Sequence, residues 1–243
     1  MADTKTAAGK VAAYVAEFAV SRLPKVAPAL SSTMIRLMDI AIDGFGVFPG
    51  AKKTAGKVLQ RKQDVALAVD GIIHSHTAMA AAQGVAANLG GIVSAIIGTP
   101  INITGIVTVQ IRMVACIAHL YGYDIDDPRV RTALAMCLLG ERELERQISD
   151  GRLPTTPLTV ATSPIYDPAL HTTVAERVLS NILSEAAGKG IVTAIGRKAP
   201  LIGGGVGGAA DGLDTYMVSR CVRKHLVPRR MMEMAGYQVI GAQ

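Results

Sequence analysis

The sequence contains no tryptophan, and only 4% of its 243 residues are aromatic. A conventional transmembrane span carries aromatic side chains at its two interfaces with water, so this scarcity argues against such a span. Charged residues are also few, at 18%, whereas an ordinary soluble domain carries about 25%. Hydrophobic residues reach 50%, with Ala, Val, Ile, Leu and Met as the main types. We therefore predict a core of small side chains in close contact.

Only three cysteines occur, and no CxxC motif is present. Cys116, Cys137 and Cys221 are far apart in the sequence, and we interpret them as reduced, buried thiols of a cytoplasmic protein. The N-terminal segment does not resemble a signal peptide, because Glu17 interrupts its apolar run and no small-residue cleavage pattern follows. We expect a cytoplasmic protein, peripheral at the inner face of the membrane.

The common catalytic and cofactor motifs are missing. The sequence has no GxSxG, HExxH or GxxxxGK[ST], and its GGGVGG run does not follow a recognisable strand. His74 and His76 are two residues apart, so a helix would point them to different sides. Asp124, Asp126 and Asp127 lack the spacing of a calcium loop, and we interpret them as helix caps. We expect no catalytic residue, no metal and no cofactor.

The most unusual segment is 71–111, which spans 41 residues without Asp, Glu, Lys or Arg. It is long enough to cross a bilayer, since roughly 20 apolar residues suffice. However, Gly84, Gly91 and Gly98 interrupt its apolar surface, and Pro100 removes a backbone donor. Small residues at four-residue intervals allow another helix to approach closely. We interpret the segment as two Gly/Ala-rich helices that meet near Gly98 and Pro100.

A second apolar element, rich in glycine, lies at 198–224. Two sets of small or polar residues recur there every four positions. One set is Gly203, Gly207, Asp211 and Thr215, and the other is Gly204, Gly208 and Gly212. This spacing predicts that Gly203, Gly207 and Gly208 lie at a close helix–helix contact.

No strand alternation appears, and apolar residues recur at intervals near 3.6. We therefore predict an all-α fold, a compact helical protein built around the two Gly/Ala-rich apolar elements. N-terminal helices are expected in 1–50, a helical domain in 51–225 and a basic tail in 226–243. An extended Pro/Thr-rich linker is expected at 149–168.

Several helices can be bounded individually. An amphipathic helix is predicted at 6–21, and a helix capped by Asp126 or Asp127 is expected to run to Gly151. A later helix is predicted from Thr173 to Ala187, where Gly188 and Gly190 would end it.

The net charge of +6 is unevenly distributed, since residues 1–62 contain ten basic and four acidic groups. Two clusters contain no acidic residue. The first basic cluster is Lys52, Lys53, Lys57, Arg61 and Lys62, and the second is Arg220, Arg223 and Lys224 with Arg229 and Arg230. Such clusters beside apolar elements are typical of a protein on an anionic leaflet. The alternative is two solvated helix faces; nucleic acid is not expected, because no aromatic residues interleave with the clusters.

Three charged residues lie within apolar surroundings. Arg112 directly follows the uncharged stretch, and Asp211 and Asp214 lie inside the second apolar element. One interpretation is a ligand site in which Arg112 holds a carboxylate or lipid phosphate, completed by Asp211, Asp214 and Thr215. The other is an internal Arg112–Asp211 ion pair that fixes how the two elements dock, since isolated buried charges need partners.

Three segments, taken together, resemble the EcsC protein family. They are VQIRMVACIAHLYGYDIDDPRVRTALAMCLLG with its Gly-rich approach, GKG at 188–190, and KAPLIGGGVGGAADGLDTY. The resemblance covers roughly residues 50–225, so the helical domain is expected to be EcsC-like. The family is named for a gene beside those of an ABC transporter and has no established activity, so it implies an architecture and a context.

We thus expect a non-enzymatic, membrane-associated protein that binds lipid or inserts shallowly through its Gly-rich helices. A soluble accessory protein that contacts an ABC transporter or another partner is one alternative. An uncharacterised enzyme with a polar site around Arg112 and Asp211 is the other. The sequence leaves the oligomeric state open.

Overall fold

A computed structural model describes the backbone of residues 30–45, 48–89, 91–196 and 200–234. Side chains are described for residues 30–44, 49–85, 104–185 and 208–232. The helices in this part of the chain are α1 (Leu30–Asp43), α2 (Ala51–Lys62), α3 (Val65–Leu89), α4 (Gly91–Leu120), α5 (Pro128–Cys137), α6 (Glu141–Ser149), α7 (Pro157–Ala161), α8 (Pro168–Gly196), α9 (Pro200–His225) and α10 (Arg229–Met234). The predicted all-α fold is confirmed. The helix predicted at 6–21 lies outside the described residues.

A tight turn connects α1 to the basic helix α2. Gly44 has a φ of +84°, and two-residue strands β1 (Gly44–Phe45) and β2 (Phe48–Pro49) pair in antiparallel fashion. Gly50 then lies so close to the end of α1 that a Cβ atom there would be 2.5 Å from the Asp43 carbonyl oxygen. Only glycine fits at this contact without a shift of the backbone, so Gly50 fixes where α2 starts.

The long uncharged stretch forms two helices, but they do not meet where we predicted. α3 ends at Leu89 and α4 begins at Gly91, and α4 then continues through Gly98 and Pro100. The sequence supplies a physical reason, because Gly90 and Gly91 are adjacent. Each glycine is about 1 kcal/mol less favourable than alanine within a helix, so this pair is an easy place for a break.

The segment from α5 to α7 also corrects the sequence prediction. Asp127 caps α5 by accepting a hydrogen bond from the Arg129 backbone N–H at 2.8 Å, as expected. The single helix predicted up to Gly151 is instead divided at Gly140, which has a φ of +73°. The predicted linker is not extended throughout, because α7 forms within it and packs on α5. Leu153 and Val160 are buried in the core and hold the segment against the fold, whereas Ile165 near its end is exposed.

Two errors concern α8, which begins earlier and ends later than predicted. Asp167 accepts hydrogen bonds from the backbone N–H groups of Ala169 and Leu170 at 2.9 and 3.1 Å, so it starts the helix before Thr173. α8 then continues through Gly188 and Gly190 to Gly196. A single glycine costs a helix only about 1 kcal/mol relative to alanine, and α8 tolerates both glycines.

The core is formed where α3, α4 and α9 pack together, with α1 and α2 against α4 and with α5 beside α7 and α8. The closest described approach is between α9 and α3. A Cβ atom at Gly208 would be 2.6 Å from the Ala81 carbonyl oxygen, and one at Gly212 would be 3.2 Å from the Ala81 Cβ. Gly208 was predicted at a helix contact and lies at one. Gly84 is buried on α3, whereas packing at Gly91, Gly98, Gly203 and Gly207 lies outside the described side chains.

Candidate functional site

The side chain of Arg112 extends from α4 to the basic helix α2. Its Nη2 donates a hydrogen bond to Thr54 Oγ1 at 2.7 Å, and Thr54 Oγ1 donates to the Gly50 carbonyl oxygen at 3.0 Å. The half-buried guanidinium therefore helps to hold α2 on α4. Sequence analysis missed Thr54. A usable signal existed, because Ala51, Ala55 and Val58 mark the inward face of α2, and Thr54 lies beside that face.

Two further polar side chains surround Arg112 in the interior. His76 on α3 is 3% exposed, and its Nδ1 lies 2.8 Å from the Ile72 carbonyl oxygen. Because a carbonyl oxygen accepts, Nδ1 carries the proton and Nε2 the lone pair. Burial, together with the nearby Arg112 charge, lowers the pKa of His76 from 6.5 to about 4. The imidazole is therefore neutral at physiological pH.

Cys116 lies on α4, one turn after Arg112. Its Sγ donates to the Ala51 carbonyl oxygen at 3.4 Å, so it too binds α4 to α2. Burial raises the pKa of the thiol to about 12, although the Arg112 charge opposes this shift. A protonated, buried thiol is a poor nucleophile. The Cys116 thiol therefore serves as a hydrogen-bond donor in the contact between α4 and α2.

The residues predicted on α9 lie beside this junction. Thr215 is fully buried and accepts a hydrogen bond from Gln110 Nε2 at 3.4 Å, two residues before Arg112. Asp211 and Asp214 are half-buried on the same helix. The direct pairing of Arg112 with Asp211 stays a prediction. Among the described residues, no three His, Cys, Asp or Glu side chains are grouped so that they could hold a metal ion.

The first basic cluster forms an exposed stripe on α2. Lys53, Lys57 and Arg61 follow one another at four-residue intervals, and Lys62 is exposed beside them. Within the described ranges, none of these four cations forms an ion pair. Lys52 differs, because its Nζ lies 2.5 Å from Asp126 Oδ2. The stripe therefore presents positive charge that no carboxylate pairs with among the residues that the structure describes.

Two of the five cations in the second basic cluster pair with acids from other helices. Arg223 pairs with Asp70 of α3 at 2.9 Å. Lys224 lies 2.5 and 2.7 Å from Glu141 and Glu145 of α6. Arg220 is exposed and has no carboxylate partner in the part of the chain that the structure describes. Among the described residues, Arg229 and Arg230 likewise form no ion pair, so the second cluster, which contains no acid in sequence, is neutralised only at Arg223 and Lys224.

Large apolar side chains are exposed next to both clusters. Val65 and Leu67, at the start of α3, are 41% and 55% exposed and follow Lys62 after the connecting residues Gln63 and Asp64. On α9, Leu213 and Tyr216 are 60% and 47% exposed, one turn or more before Arg220. Each basic cluster therefore has accessible apolar surface beside it.

One helical segment in the described residues, Val65–Val85, is long and apolar enough to cross a membrane. Only 33% of its apolar window is buried. Length and composition alone do not distinguish such a segment from the core helix of a soluble protein. Comparisons with family models, with curated proteins and with solved structures find no match to this chain.

Proposed function

We propose that this protein is a non-enzymatic, membrane-associated protein that binds an anionic cytoplasmic leaflet. The observation that supports the proposal is the stripe of Lys53, Lys57 and Arg61, which forms no ion pair within the described residues, near the exposed Val65 and Leu67. A basic residue near an anionic leaflet contributes about 1 kcal/mol, so the three stripe residues would contribute about 3 kcal/mol. The apolar pair at the start of α3 would add to this by inserting between headgroups.

The Gly/Ala-rich helices give this proposal its second element. Residues 71–111 carry no charged side chain, and from this composition we infer that the α3–α4 pair inserts shallowly or holds an acyl chain. The context implied by the EcsC resemblance, a neighbourhood with an ABC transporter, belongs to the same proposal. If the folded chain does not bind membranes, the preferred proposal becomes a soluble accessory protein that contacts a transporter or another partner.

The test is flotation of the full chain with neutral and with anionic vesicles, at low and high salt. We expect flotation with anionic vesicles only, and less of it at high salt, because charges are screened over about 8 Å at physiological ionic strength. The stripe variant carries Lys53→Gln, Lys57→Gln and Arg61→Gln. A matched control removes three exposed charges elsewhere, through Arg142→Gln, Arg152→Gln and Arg177→Gln.

The two variants have the same net charge. A difference between them would therefore show that vesicles bind the α2 stripe itself and do not merely attract any positively charged protein. We expect the stripe variant to lose most of its binding and the control to keep it. Equal losses of vesicle binding in both variants would mean that binding depends on the net charge of the protein and not on the stripe. Failure of the folded, lipid-free parent chain to float would refute membrane association.

A further inference from the structure

A small cavity lies away from the basic stripe, between α1, the start of α5 and the first turn of α8. Its volume is about 230 Å³. Ile35, Met38 and Pro128 supply its apolar lining, and Asp39, Asp126, Arg131 and His171 supply its polar lining. Pockets for drug-sized ligands are larger, about 300–1,000 Å³, so this cavity suits a molecule of a few heavy atoms.

A chain of hydrogen bonds fixes the tautomer of His171. The buried Thr132 hydroxyl lies 2.7 Å from the Pro128 carbonyl oxygen and must donate its single proton there, because the carbonyl only accepts. His171 Nδ1 lies 2.7 Å from the same Thr132 oxygen. Nδ1 is therefore the donor to Thr132, and Nε2 carries the lone pair. Burial and the nearby Arg131 lower the pKa of His171, which favours this neutral form.

The cation that lines the cavity is already engaged with the protein. Arg131 Nη1 lies 2.6 Å from Asp39 Oδ1, and its Nη2 lies 3.2 Å from Asp43 Oδ1. Its Nε donates to the Ile125 carbonyl oxygen at 3.0 Å. These contacts direct the guanidinium to its own neighbours and leave it little capacity for an anionic ligand.

The charges around the cavity leave an excess of hydrogen-bond acceptors. Asp39, Asp43 and Asp126 carry three negative charges, whereas Arg131 and Lys52 carry two positive ones, so the group has a net charge of −1. Asp39 and Asp126 retain carboxylate lone pairs beyond those that bind Arg131 and Lys52. Together with the His171 Nε2 lone pair, these half-exposed carboxylates supply acceptors at the cavity, and acceptors of this kind suit a ligand with N–H donors and positive charge.

We propose that this cavity binds a small organic cation with N–H donors, namely a primary ammonium group. The ammonium would donate to His171 Nε2 and to the Asp39 carboxylate, and its short alkyl part would lie against Ile35 and Met38. The proposal uses neither the basic stripe nor the apolar helices, so it stands or falls independently of membrane binding.

The experiment follows the ring nitrogens of the full chain, labelled with ¹⁵N-histidine, during titration with ethanolamine at pH 7. We expect the His171 Nε2 resonance to move as its lone pair accepts a hydrogen bond. Tetramethylammonium has the same charge without N–H donors and should not reproduce this shift, and acetate should not bind. Calorimetry on the same samples gives the affinity.

Three variants locate the binding. His171→Phe should weaken ethanolamine binding at least tenfold. Thr132→Val should weaken binding less, because it keeps the imidazole and removes only the hydroxyl that holds the proton on Nδ1. His74→Ala, which removes an exposed histidine on α3, is the matched control and should bind as the parent does. Circular dichroism checks that each variant is folded. If His171→Phe does not fold, Asp39→Asn replaces it and should also weaken binding at least tenfold.

Several outcomes would overturn the proposal. They are no response to ethanolamine, an equal response to tetramethylammonium, binding of acetate instead, or unchanged affinity in the folded His171→Phe or Asp39→Asn variant. Glycerophosphoethanolamine distinguishes the two sources of a primary ammonium. Binding tighter than that of ethanolamine would assign the group to a lipid headgroup, and weaker binding would assign it to a free amine; both support the site.

Discussion

Protonation of His76 is the clearest way to perturb the junction where Arg112 holds α2 on α4. The ring Nδ1–H already donates to the Ile72 carbonyl oxygen, and Nε2 is buried without a hydrogen-bond partner. A proton added at Nε2 would place a second positive charge near Arg112, with no acceptor for the new N–H. We therefore predict that mild acid destabilises the fold through this one residue.

The magnitude follows from the pKa of His76, which is about 4 in the folded chain and ordinarily 6.5. Because the folded-state pKa is lowered, the unfolded chain binds the proton first as the pH falls below about 6.5. At about 1.4 kcal/mol per pH unit, the complete loss between pH 7.5 and pH 4 is about 3 kcal/mol. At pH 5 the expected loss is about 2 kcal/mol. No loss from this residue is expected above pH 7.5.

The assay is urea unfolding at pH 7.5 and pH 5.0 for the parent chain and for His76→Gln. Glutamine is neutral at both values, so the variant should lose about 2 kcal/mol less than the parent on acidification. Other groups titrate equally in both proteins and cancel in this difference. His74→Gln, an exposed position on the same helix, should behave as the parent does. A difference between the parent and His76→Gln below about 0.5 kcal/mol would refute the reasoning, because effects of that size are common for unrelated substitutions.

Three further predictions concern packing, charge and thiols. Gly208→Ala should cost about 1–3 kcal/mol through its contact with α3, whereas Gly56→Ala, which meets nothing within 4 Å, should stabilise by about 0.5–1 kcal/mol. Equal melting temperatures of these two variants would contradict the contact. Arg112→Ala should cost about 1.5–3 kcal/mol through its bond to Thr54. If Arg112 and Asp211 interact, a double-mutant cycle with Asp211→Ala should give a coupling of at least about 0.5 kcal/mol, and additive losses would exclude it. The three buried cysteines should resist a thiol reagent in the folded chain and react after unfolding; rapid reaction of the native chain would contradict their burial.

The sequence predicted those features of the fold that depend on neighbouring residues. Asp127, which was expected to cap a helix, does so at the start of α5. Predictions based on an isolated helix breaker were less successful. Pro100 and Gly188 both lie inside long helices. The packing of a helix against its neighbours outweighs a local penalty of 1–3 kcal/mol, and no single sequence reveals that packing.

Contacts between distant residues limited what the sequence could predict about the candidate site. Arg112 was recognised because a charge after 41 uncharged residues is conspicuous. Thr54, which accepts the hydrogen bond of Arg112, lies 58 residues away in the sequence. Gln110 and Thr215, which are joined by another hydrogen bond, are 105 residues apart. The hydrogen bond between Thr132 and His171 spans 39 residues. Such pairs become visible only when the helices are placed together.

The two basic clusters show why spatial arrangement changes the functional argument. In sequence they are equivalent, since each contains only basic charges. In the fold, α9 brings Arg223 and Lys224 against carboxylates of α3 and α6, so an anionic membrane would have to compete with existing ion pairs. On α2 the inward face is apolar, and Lys53 and Arg61 therefore point outward. Among the described residues, Lys52 at the helix start is the one cation of α2 that pairs with an acid. The attraction to an anionic surface should consequently reside in α2, and neutralising Arg223 and Lys224 should affect flotation far less than neutralising the α2 stripe.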